Sequence, residues 1–109
     1  MTDCVVALTT LPADFDTRAL GEALVAEGLA ACVAILPAID SVYAWEGVLQ
    51  HDREQQVVIK TTRQRVIALW DALRERHPYE VPEFLERILS THRRAARSGT
   101  RLLCEISPR

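Results

Sequence analysis

The side chains best able to do chemistry in this sequence are three cysteines, Cys4, Cys32 and Cys104, and three histidines, His51, His77 and His92. A metal centre held within one chain usually announces itself by close pairs, two cysteines two residues apart or two histidines at i and i+4, because a single turn of backbone then aims both ligands at one ion. Neither pattern occurs here, which leaves assembly between subunits as the remaining route to a metal site. Nucleophilic catalysis needs a serine or cysteine activated by a base, and no recognisable signature surrounds any candidate, so the chain reads as a protein without a catalytic centre. His77 precedes Pro78 at what reads as a helix exit, where a structural role through its ring hydrogen bonds or the helix dipole is the default. The cysteines are odd in number, widely spaced and set among apolar residues, which predicts reduced thiols in a cytoplasmic protein.

Composition narrows the partners. Hydrophobic residues make up 49% and charged residues 26% of the 109, an ordinary balance for one globular domain spanning 1–109. A domain this small gains stability by associating with copies of itself. The longest apolar stretch, Leu29 to Leu36, is far short of the roughly 20 residues of a spanning helix, so no membrane role is expected. Net charge is −2, but residues 1–85 hold seven Lys/Arg against thirteen Asp/Glu, while residues 86–109 hold six Arg against two Glu. That basic end lacks interleaved aromatics and any reading module, so nucleic acid is not an expected partner.

The elements that must position these residues follow from periodicity. Cys4–Leu8 is a short β-branched run closed by Thr9-Thr10-Leu11-Pro12 and reads as a strand. Asp14 or Asp16 caps a helix carrying Leu20, Ala23 and Leu24, with Gly28 as its left-handed stop. Leu29–Leu36 is a buried strand ended by Pro37. Ser41–Gln50 continues extended with Tyr43, Trp45 and Leu49 on one face, and the polar break His51-Asp52-Arg53 predicts a hairpin returning through Val57-Val58-Ile59. Thr62 caps a second helix with Val66, Leu69, Trp70 and Leu73 at helical spacing, which Pro78 stops. A final extended run starts at Val81 and reaches Leu85 or Leu89. This order, βαββαβ, predicts an α+β, ferredoxin-like fold with two helices on one face of an antiparallel sheet.

That fold serves many functions. RNA recognition would require stacking rings on the central strands, which Val57-Val58-Ile59 do not supply. A phosphatase would require an anion cradle, and Thr9-Thr10-Leu11-Pro12 has no glycine or fixed cation. Five stretches resemble the CutA divalent-cation-tolerance family: Ala7-Leu8-Thr9-Thr10-Leu11-Pro12, Gly28-Leu29-Ala30-Ala31-Cys32-Val33, Ser41-Val42-Tyr43-Ala44-Trp45-Glu46-Gly47, Ile59-Lys60-Thr61-Thr62 and His77-Pro78-Tyr79-Glu80-Val81-Pro82-Glu83. The resemblance implies a non-enzymatic homotrimer, similar to nitrogen-regulatory signalling proteins, whose long β-hairpin reaches onto neighbouring subunits.

The resemblance also implies a response to divalent metal ions, with copper bound in some members through a cysteine after the first strand and two adjacent histidines before the proline-tyrosine pair. Those positions here are Thr9, Arg76 and His77. His77 is therefore the metal ligand it carries over, for copper or another divalent cation, with support from Glu80, Glu83 or a neighbouring subunit. A second implied reading is a PII-like signalling or scaffold trimer that binds a small anion or nucleotide between subunits. The segment 86–109 is atypical, since no aromatic residue follows Phe84. Ser90 or Thr91 opens an expected short helix to Ser98, and Arg101–Ile106 an expected further strand.

Overall fold

The computed structural model of the chain describes residues 3–79 and 82–88. Four strands form one antiparallel sheet in the order β2-β3-β1-β4, with β1 at Cys4–Pro12, β2 at Cys32–Trp45, β3 at Val48–Thr62 and β4 at Leu85–Ile88. Two helices, α1 at Thr17–Ala26 and α2 at Val66–Arg76, connect β1 to β2 and β3 to β4, with a short 3-10 turn over Arg63–Arg65 leading into α2. This is the ferredoxin-like α+β arrangement. The expected helix and strand of the 86–109 segment lie outside the described residues.

The period of two sorts the sheet into unlike faces. Ala7 and Leu11 of β1 and Val57 and Ile59 of β3 meet Leu20 and Leu24 of α1 and Leu69 and Leu73 of α2 in a single core, none more than 7% exposed. The register pairs Ala7 with Ile59 and Thr9 with Val57, so odd-numbered residues of both strands face the helices. The even-numbered Val6, Leu8 and Val58 face away and are half-buried.

Local chemistry explains the boundaries. The Asp16 carboxylate accepts the Ala19 N–H at 3.1 Å and caps α1. At its other end Leu29 N–H bonds Leu24 O and Gly28 N–H bonds Val25 O, both at 3.0 Å, a Schellman stop that needs the left-handed φ of 76° at Gly28. On α2, Trp70 stacks on Phe84 at 4.9 Å while Arg74 lies over the indole at 5.5 Å, tying the chain beyond the helix to its flank.

The ribbon differs from the sequence expectation in two places. The strand does not end at Pro37. It runs on, with one extra residue on β2 where Leu36 pairs with Gln56 and Ile39 with Glu54. This bulge absorbs the missing proline N–H and places Ala38 at φ 51°. The hairpin turn is Glu46-Gly47, not His51-Asp52-Arg53. Positive φ at both residues, 52° and 80°, gives the turn whose twist matches the strands it joins, whereas the polar triplet pairs regularly with Asp40, Ser41 and Val42. Leu49 therefore pairs with Ala44 and lies on the ribbon face opposite Tyr43 and Trp45.

Cys4 is disulfide-bonded and Cys32 is a free thiol, which corrects the expectation of three reduced cysteines. Pairing depends on distance in the fold, which spacing along the chain does not report.

Replacing Gly47 with valine puts a β-branched residue at φ 80° and should destabilise the chain by about 1–2 kcal/mol in denaturant melts, whereas Glu46→Asn should cost nothing. Equal stability of Gly47→Val and wild type would show that the turn does not hold the ribbon register.

Candidate functional site

The candidate site lies where β1 outruns β4. β4 pairs only with Val5–Leu8, so the far half of β1, from Thr9 to Pro12, has no strand on that side among the described residues. The chain leaving α2 crosses there. His77 extends the backbone ahead of Pro78, as a residue before proline must, and its ring turns in beneath β1.

Both nitrogens of His77 are occupied. The Tyr79 N–H can only donate, so Nδ1 accepts it, at 3.2 Å, and the proton resides on Nε2. Nε2–H donates to Thr10 O at 2.8 Å, with Thr9 Oγ1 also near at 3.2 Å. Thr9, fully buried, donates its own hydroxyl proton to Glu83 O at 2.6 Å. Burial pushes the His77 pKa below its ordinary value, against smaller opposing effects from the Thr10 carbonyl and the Glu54 charge. The ring is a neutral latch that holds the crossing chain to β1.

The latch carries Tyr79 to the other sheet face, where its hydroxyl donates to Glu54 Oε2 at 2.6 Å. Nearby, Tyr43 on β2 donates its hydroxyl to Asp52 on β3. Burial and the bond to Glu54 raise the Tyr79 pKa, and the bond to Asp52 raises that of Tyr43, so both phenols stay protonated. These two pairs, with Trp45, Thr10, Gln56 and Glu83, line a cavity of about 730 Å3 at the base of the ribbon. Gln55 faces the other way and donates its amide to Pro12 O at 2.8 Å and Phe15 O at 3.0 Å, anchoring the loop before α1.

The residues do not fit the copper arrangement implied by the sequence resemblance. The Nδ1 lone pair of His77 is taken, its Nε2 is protonated toward a carbonyl, and Thr9 contributes a committed hydroxyl instead of a thiolate. Arg76, at the first histidine position, pairs with Glu27 at 2.9 Å. Among the described residues no group of three His, Cys, Asp or Glu could hold a metal ion. Glu83 lines the cavity with an exposed side chain, and Glu80 lies outside the described residues.

Sequence reasoning missed Asp52, Glu54 and Thr10. Asp52 was hidden in a triplet that looked like a turn, and Glu54 is a charged residue only 8% exposed. The one signal available was that a glutamate opening a buried strand needs a partner.

A small ferredoxin-like domain with a long ribbon and a latched crossing chain defines the class. The family model described as "CutA1 divalent ion tolerance protein" matches residues 5–95, and the chain belongs to that family. A divalent-cation tolerance protein CutA of Salmonella newport is 42% identical over 83 residues, covering 76% of this chain and 72% of its own. The solved structure of the divalent cation tolerance protein Cut A1 from Thermus thermophilus is 33% identical with a TM-score of 0.83, covering 99% of this chain and 100% of its own. The PII-like protein CutA from Nostoc sp. PCC 7120 is 28% identical with a TM-score of 0.81, over 99% and 98% of the two chains.

The sign of the His77 shift sets a pH dependence. Its folded pKa lies below the unfolded value of about 6.5, so the latch contributes full stability above that value and loses it as pH falls toward the folded pKa. Wild-type stability should therefore decline between about pH 7 and pH 5, and His77→Asn, less stable at pH 7.5, should lose that part of the slope. Parallel pH profiles for the two proteins would contradict the neutral latch.

Proposed function

We propose that this chain is a non-enzymatic homotrimer acting in the divalent-cation response of its family, through ligand binding at the ribbon base and not through copper held by His77. The observation that carries this reading is the sheet face that the described residues leave uncovered. Val6, Leu8, Ala34 and Val58 are half-buried there, and Leu36 and Leu85 are 46% and 58% exposed on the same side. The ribbon extends this surface with Trp45 at 55% and Val48 at 57%. A two-stranded ribbon is marginal alone and an apolar face this continuous normally meets a partner.

The ribbon and the sheet face are different surfaces, so a contact between them is heterologous, and heterologous contacts that end do so by closing a ring. The family resemblance supports a ring of three. The PII-like relative supports a signalling role for such a ring, but three carboxyl groups in the cavity, Asp52, Glu54 and Glu83, with no basic lining residue among the described ones, oppose an anion or nucleotide at this place.

Light scattering at micromolar concentration should give three subunit masses. Leu36→Glu, on the uncovered face, should shift the protein toward monomer, while Ile67→Glu, 75% exposed on α2, should not. A wild-type monomer or dimer would end the trimer reading.

Calorimetric titration of copper should give equal, weak binding to wild type and His77→Ala, since the ring nitrogens are committed within the fold. Tight binding abolished by His77→Ala would restore the histidine as a ligand.

A further inference from the structure

The cavity at the ribbon base has a chemical bias that specifies what it takes. Its carboxyl groups come from three places, Asp52 and Glu54 on β3 and Glu83 on the crossing chain, and among the described residues no Lys, Arg or His lines it. The ribbon's own cation, Arg53, lies on the opposite face, where it bonds Asp40 at 3.2 Å. Both phenols donate their protons to carboxylates, so toward a ligand they present ring faces and lone pairs instead of donors.

Glu54 is the most telling group. It is 8% exposed, and its Oε2 receives the Tyr79 hydroxyl. Among the described residues its Oε1 receives no hydrogen bond, yet no buried side-chain oxygen is sealed off without a partner. Oε1 therefore opens onto the cavity. This open carboxyl oxygen receives no donor from the described residues, and a ligand N–H supplies one. A protonated amine does so with charge, which about doubles the strength of such a bond.

The competing cations fit less well. A divalent metal ion draws its ligands into one small sphere, and no group of three His, Cys, Asp or Glu among the described residues does so. Carboxyl groups spread around a 730 Å3 cavity and separated by Tyr43, Trp45 and Tyr79 suit an extended organic cation, whose methylenes lie on the rings and whose ammonium lies near their faces. An anion would meet acceptors on every side.

We propose that this cavity binds a small protonated alkylamine, with its ammonium donating to Glu54 Oε1 and its carbon chain running along Tyr43 and Trp45 toward Asp52. This rests on the trimer reading only for the neighbouring copy that would roof the open side of the cavity.

The test uses the full chain at pH 7.5 and low salt, with calorimetry and light scattering on the same samples. The probes are 1,4-diaminobutane, the uncharged 1,4-butanediol of matching length, inorganic phosphate and magnesium ion. The diamine should bind at least about tenfold more tightly than the diol, a difference of about 1.4 kcal/mol, and more tightly than phosphate or magnesium. Glu54→Gln should weaken the diamine about tenfold or more, and Glu75→Gln, exposed on α2 outside the cavity, should not change it. Should Glu54→Gln fail to fold, Asp52→Asn at an exposed position carries the same expectation.

Equal binding of diamine and diol, preference for phosphate or magnesium, or no diamine binding up to about 10 mM would overturn the assignment. So would diamine affinity that survives loss of the carboxylate. A trimer that ignores the diamine sinks the ligand assignment alone, and a monomer that binds it sinks the assembly alone.

Discussion

The structure turns on one extra residue in β2. Between Leu36 and Ile39 the edge strand takes three steps while β3 takes two, and this exchanges the parity of every β2 side chain beyond it. Before the bulge, Cys32, Ala34 and Leu36 face away from the helices. After it, Ile39, Ser41, Tyr43 and Trp45 do. With regular pairing, Tyr43 and Trp45 would lie on the other side of the ribbon, out of reach of Asp52 and Glu54. Pro37, which has no N–H for the ladder, makes the irregularity inexpensive at that point.

The two sheet faces are then committed to different tasks. The odd-numbered face of β1 and β3 is sealed under α1 and α2, and there the side chains leave no buried polar atom unpaired among the described residues. The even-numbered face is apolar near β4 and turns acidic and aromatic toward the ribbon. His77 joins the two. Its ring lies beneath β1 with its proton directed to Thr10 O, and the residue it grips through Nδ1, Tyr79, emerges on the far face against Glu54. Both nitrogens of this imidazole are bonded within the fold, so a metal would have to displace one of those bonds to reach a lone pair.

The departure from the copper pattern that the sequence resemblance implied is thus consistent across three positions. Thr9 does not merely replace a thiol. It bonds both the latch and the crossing chain, and Arg76 is engaged with Glu27, just past the end of α1. Membership of the divalent-cation-tolerance family and the absence of a fitting copper set at these residues are compatible, because fold membership is carried by the core, the ribbon and the latch, while ligand choice depends on a few side chains at the rim.

The sequence by itself determined the order of elements, the helix stops and the buried positions. Leu20 and Leu24, Leu69 and Leu73, and the alternation of Val57 and Ile59 are local signals with fixed periods, and Asp16 and Gly28 close α1 through bonds reaching no more than five residues. Tertiary structure decided the rest. The polar triplet His51-Asp52-Arg53 resembled a turn, and only pairing with β2 showed it to be strand, the true turn being set by positive φ at Glu46 and Gly47. The faces of Tyr43 and Leu49, the commitment of the His77 nitrogens and the meeting of Tyr79 with Glu54 across 25 residues all depend on a register shift and a chain crossing. These are long-range distances, and residue type and spacing carry no record of them.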